Sequence, residues 1–156
     1  MAAIRSLAVT GLVALLVLPA CSAVSPGNVQ SCIDWVVYDS IEDAQAQSDA
    51  IVLAVIGTKT GDIEFMRGAP ATTWSVDVRT WLEAPSGVSA TDTIEVVSTP
   101  YSCGETRDAL GEAADGEPRI LFLRDGDHGW EILTPYQGVA LPGPDGSLPT
   151  AWPSPS

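Results

Sequence analysis

Over residues 74–82 the chain alternates between two kinds of side chain. Trp74, Val76, Val78, Thr80 and Leu82 occupy one set of positions, and Ser75, Asp77, Arg79 and Trp81 the other. Successive side chains of a strand point to opposite faces, so this segment predicts a β-strand with one apolar face and one mostly polar face. A half-apolar strand needs a sheet around it, and the flanking sequence supplies the partners. Residues 50–56 (Ala-Ile-Val-Leu-Ala-Val-Ile) form an apolar run between Ser48-Asp49 and Gly57, as expected of a strand covered on both faces. Residues 93–97 read as a further strand, stopped by Pro100. Residues 119–124 and 129–133 flank Asp125-Gly126-Asp127-His128 and predict a β-hairpin. Residues 32–38, apolar and β-branched, read as a first strand. One or two short helices complete the pattern, one over residues 40–47 with Asp39 or Ser40 as the cap and a second candidate around residues 107–114. Five or six short strands with so little helix predict a mainly β domain. The expected architecture is a small antiparallel OB-like barrel, closed or partly open, because closure removes the exposed strand edges.

The first residues read differently. Arg5 precedes an apolar run over residues 7–20 that is too short for a comfortable membrane span and fits the core of a signal peptide. The run ends in Leu18-Pro19-Ala20-Cys21, which resembles the lipobox of bacterial lipoproteins, although Pro19 stands where a small residue is usual. That resemblance implies that Cys21 carries a thioether-linked diacylglycerol, becomes the mature N-terminus and holds the chain on the extracytoplasmic side of the cell membrane. The alternative is an ordinary secretory signal cut after Ser22 or Ala23. The expected organisation is a signal peptide over residues 1–20, a lipidated Cys21 with a spacer over 21–31, a β-rich domain over 32–141 and a Pro/Gly/Ser-rich tail over 142–156, of which residues 151–156 are expected to be loose.

The cysteine count fits this reading. Three cysteines are an odd number for an exported chain. With Cys21 lipidated, Cys32 and Cys103 remain to pair in an oxidising compartment, and closing their loop of roughly 70 residues is worth on the order of 3 to 4 kcal/mol. Charge narrows the partners. Of seven basic side chains Arg5 leaves with the leader, so the exported part holds six against twenty acidic ones, a net −14. Such a body is repelled by nucleic-acid phosphates, and no nucleic-acid role is expected.

Taken together, the short helix, Ser48-Asp49-Ala50-Ile51-Val52, Gly57, Trp74-Ser75-Val76-Asp77-Val78, Thr93-Ile94-Glu95-Val96, Cys103-Gly104 and Ile120-Leu121-Phe122-Leu123 resemble, in that order, the netrin-like and tissue-inhibitor-of-metalloproteinase domains. The resemblance covers residues 32–133 and implies an OB-type barrel. It does not imply protease inhibition. The family's inhibitors place a free N-terminal cysteine amine on zinc, whereas Cys21 would be acylated and Cys32 is internal.

Little in the sequence points to catalysis. His128 is the only histidine. A zinc site would need both paired cysteines as thiolates, and a Ser-His-Asp triad would need the histidine to leave an apparent turn. His128 is therefore expected to be an exposed turn residue, dispensable for whatever the domain binds. Asp125, Asp127 and Glu131 put three carboxylates close together but lack EF-hand spacing, leaving calcium-assisted adhesion as an alternative. Pairs such as Glu42-Asp43, or Glu112 with Asp115, leave a cell-envelope hydrolase using two carboxylates as another. Trp35, Trp74 and Trp130 are expected in the core. Trp81, on the polar face beside Arg79, is either a binding anchor or covered by the C-terminal segment. The reading that remains is a membrane-anchored, non-catalytic binding module without a cofactor, its partner an envelope protein.

Overall fold

The computed structural model describes residues 32–85 and 93–152. The leader, Cys21, the spacer, residues 86–92 and the last four residues lie outside them. Strands β1 (Ala50–Glu64), β2 (Pro70–Glu83), β3 (Thr93–Ser98), β4 (Pro118–Gly126), β5 (Gly129–Ile132) and β6 (Val139–Ala140) are joined by helices α1 (Ile41–Ala46) and α2 (Ala109–Ala113). The sheet runs β1-β2-β3-β5-β4-β6, and β1 also pairs with β4, so five strands form a ring that is barrel-like but not fully closed.

The weakest seam of that ring departs from the all-antiparallel expectation. β3 pairs with β5 in parallel, through Val96–Trp130 and Val97–Glu131 alone. A parallel pair cannot be joined by a tight turn, and here the connection from β3 to β5 passes through α2 and β4. α2 lies against β1, β3 and β6, with Leu110 and Ala109 buried in the ring's core. Ser98 accepts the Leu110 N–H at 3.2 Å.

All five ring strands contribute to one interior cluster, including Val52, Ala54, Val76, Val96, Leu121 and Ile132. Fully burying each such aliphatic side chain contributes about 1.5–3 kcal/mol. The alternate residues of β1 and β4 (Ile51, Ile120, Phe122) face outward into a second cluster with Ile41 and Ala44 of α1. β1 is thus covered on both faces, as its continuous apolar run predicts, and it extends well past Gly57 to Glu64. Helix α1 starts where expected: the Ser40 hydroxyl caps it, accepting the Asp43 N–H at 3.0 Å.

Two expectations are overturned. Residues 32–38 form no strand; they run as an irregular segment whose Ile33 and Trp35 cover a third cluster of Phe65, Ala71 and Val97. The Trp35 indole donates to the Pro100 carbonyl at 2.9 Å, and Gln137 exchanges two hydrogen bonds with the Tyr38 backbone. Side-chain contacts hold this segment, so its strand-like composition reports burial and not a ladder. Trp152, within the stretch 151–156 expected to be a loose tail, is packed instead. Leu148 and Trp152 pack on the second cluster, with the Trp152 ring 5.5 Å from Phe122.

Cys32 and Cys103 are joined by a disulfide, their Cα atoms 4.1 Å apart. It fastens the entry of the irregular segment to the loop after β3, where Cys103 adopts a φ of 56°.

Candidate functional site

The β4–β5 hairpin carries a dense polar arrangement. Gly126 pairs with Gly129 across a turn of Asp127 and His128, and the left-handed φ of 87° falls on Gly129, which has no Cβ to clash. Counting back from that turn sets Arg124 opposite Glu131. The Glu131 side chain is only 2% exposed. Its Oε2 accepts from Arg124 Nε at 2.9 Å and lies 2.8 Å from Nη2, a forked charge-assisted contact. Its Oε1 faces the His128 backbone N–H at 3.4 Å and the ring Nδ1 at 3.3 Å. Gly126 makes room for this carboxylate, since a Cβ there would lie 2.3 Å from Glu131 Cδ.

Aromatic rings close the arrangement from the opposite side. Arg124 lies over the Trp35 ring at 5.7 Å. Phe65, at the end of the β1–β2 ribbon, is 6.1 Å from Trp35 and 5.6 Å from the His128 ring. Next to Phe65 a 3-10 turn over Met66–Gly68 holds Arg67 at a φ of 56° and leaves Met66 45% exposed. Phe65, Met66, Arg124, Asp127, His128 and Glu131 line a cleft of about 290 Å³.

His128 is in the expected turn, but its side chain is tied back to Glu131 and is 34% exposed. The acids around it do not form an oxygen cage. Asp125 and Asp127 are exposed, and Glu131 is engaged by Arg124. Among the described residues no three His, Cys, Asp or Glu side chains converge as a metal site. Glu131 is also the only buried acid among them, and it faces Arg124 and His128 rather than a second carboxylate. Glu42 and Asp43 are exposed on α1, while Glu112 and Asp115 are exposed and held by Arg107 and Arg119 respectively.

Trp81 and Arg79 do not share a face. Between Val78 and Thr80 the register with β1 slips by one residue: Leu53 pairs with Thr80 but Ala54 with Val78. Arg79 is the extra residue of this β-bulge and is exposed. The bulge inverts the alternation, so Trp81 pairs with Val52 and joins the ring's interior cluster, 6.2 Å from Trp130. Leu82 turns to the outer cluster in its place. Among the described residues the C-terminal segment packs on that outer cluster, through Leu148 and Trp152.

Two further features are local. Asp108 caps α2, accepting the Gly111 N–H at 3.0 Å, and also accepts from Thr72 at 2.6 Å and from the Trp74 indole at 3.0 Å. Burial acts to raise its pKa, but the hydrogen bonds from Ser98, Thr72, Gly111 and Trp74 outweigh it and hold the carboxyl below the usual carboxylate range. A second concavity, about 300 Å³, lies beside α2 between Tyr101 and Tyr136, whose rings meet edge-on at 5.1 Å.

The sequence singles out His128, Asp125 and Asp127 but not Arg124, Met66 or the role of Glu131. The signal for Arg124 and Glu131 is the hairpin itself, because a turn at Asp127-His128 sets those opposite charges across from each other. Nothing local ties Met66 to the site. No protein-family model matches this chain, and no curated protein and no solved structure matches it.

Proposed function

We propose that this chain is an exported lipoprotein whose β domain is held at the outer face of the cell membrane through Cys21 and serves there as a non-catalytic binding module. The observation that carries the reading is the Cys32–Cys103 disulfide. Of three cysteines, it leaves Cys21 unpaired, and that cysteine ends the apolar run in the position of a lipobox. Structural disulfides persist in oxidising compartments, which agrees with export. The disulfide also fixes the domain's entry at Cys32, so the spacer of residues 22–31 would be the whole tether, reaching about 35 Å when fully extended.

Binding is favoured over catalysis by how the interior is used. The ring is filled by its own aliphatic and aromatic side chains. Glu131, the one buried acid among the described residues, is paired with the Arg124 guanidinium and faces no second carboxylate. An envelope protein remains the partner class, met on the exposed surface of the domain.

Replacing Cys21 with Ser tests the anchor. The variant should leave the membrane fraction or persist as an uncleaved precursor, and a fatty-acid analogue should label the wild type alone. Equal labelling of both proteins would overturn the anchor.

A further inference from the structure

We propose that the hairpin cleft binds a monovalent copper ion through the His128 imidazole and the Met66 thioether. The inference concerns the folded domain and does not depend on lipidation at Cys21. Its starting point is a coincidence of rare residues. His128 is the chain's only histidine, and Met66 its only methionine apart from Met1. They are far apart in sequence, yet both line the same cleft of about 290 Å³.

Both side chains are presented to the cleft. Met66 is a large apolar side chain left 45% exposed, on a turn whose next residue, Arg67, holds the left-handed φ of 56°. Such backbone costs about 1–3 kcal/mol for a non-glycine residue and persists where the surroundings enforce it. His128 has its Nδ1 facing Glu131 Oε1 at 3.3 Å, and Glu131 is itself fixed by the Arg124 fork. Histidines that ligate metals commonly direct the second ring nitrogen to a carboxylate or carbonyl, which sets the tautomer and orients the ring. With Nδ1 directed at the carboxylate, Nε2 is the ring nitrogen left to ligate an ion, and no hydrogen bond engages it among the described residues.

The donor set selects the ion. A thioether with an imidazole is a soft pair suited to copper in its lower oxidation state. Zinc and calcium ask for more donors, and no three-residue His, Cys, Asp or Glu group is present among the described residues. Cys32 and Cys103 do not compete as thiolates, because they are bonded to each other. Local charge also favours a cation: Arg124 is engaged by Glu131, while Asp125 and Asp127 line the rim.

The test uses the full-length chain carrying Cys21→Ser, purified in detergent with the Cys32–Cys103 disulfide intact. Cuprous ion is offered as its coloured bicinchoninate complex under ascorbate. The protein should withdraw one equivalent of copper, and His128→Gln and Met66→Leu should each weaken that withdrawal at least tenfold. Both side chains are substantially exposed, so circular dichroism and thermal midpoints of the two variants should match the parent. X-ray absorption at the copper edge should show a sulfur neighbour in the parent and none in Met66→Leu. Failure to withdraw copper would overturn the proposal. So would undiminished binding by either variant, or zinc bound in preference to cuprous ion.

Discussion

Replacing Arg124 with Leu removes the counter-ion of Glu131 while keeping an aliphatic stem beneath Trp35. The carboxylate it leaves behind is 2% exposed and loses both guanidinium contacts, at 2.9 and 2.8 Å. Orphaning one partner of a fully buried ion pair costs about 3–5 kcal/mol. Arg124 is itself 32% exposed, so water can enter where its guanidinium stood and recover part of that penalty. The expected cost is therefore about 2–3 kcal/mol. Glu131→Gln should cost less, about 1–2 kcal/mol, because an abandoned Arg124 can turn to solvent. Combining Arg124→Leu with Glu131→Gln should recover part of the loss, since neither charge is then stranded. Urea unfolding at neutral pH, followed by tryptophan fluorescence, measures all four proteins. A loss below about 0.5 kcal/mol for Arg124→Leu, or a double variant as unstable as the two singles added together, would refute the placement of Glu131 as a buried, paired carboxylate.

Replacing Cys32 and Cys103 together with Ala should cost about 4 kcal/mol, from the loop-closure entropy of a sequence separation of 71; an unchanged urea midpoint would refute it. Asp108→Ala should cost about 1–2 kcal/mol near neutral pH as a lost helix cap and hydrogen-bond acceptor. Because the folded-state value of Asp108 is depressed, its contribution is present above the unfolded-state value and is lost as pH falls through the folded one. The stability gap between wild type and Asp108→Ala should therefore narrow in acid, and a gap that stays constant or widens below pH 4 in urea titrations would contradict this.

Much of the fold was determined by short-range chemistry. The apolar run at residues 50–56 specifies a strand buried on both faces whatever it pairs with, and β1 is such a strand. Ser40 capping α1, and the hairpin turning at Asp127-His128, follow from side-chain and backbone preferences that act within a few residues. Cys32 and Cys103 were legible as a pair because the remaining cysteine had another explanation. What the sequence left open depends on register and on contacts between distant segments. Alternation predicted Trp81 on the polar face, but a single bulged residue, Arg79, inverts the parity beyond it, and bulges arise from fitting a long strand to its neighbour. Residues 32–38 have strand-like composition yet take no ladder, because Trp35 and Ile33 are needed over the third cluster and the disulfide holds them there. The parallel seam between β3 and β5 is decided only when the ring comes together. The meeting of Met66 with His128 likewise has no local cause. One stands on the turn between β1 and β2 and the other between β4 and β5, and only the folding of the ring brings those two turns to the same cleft.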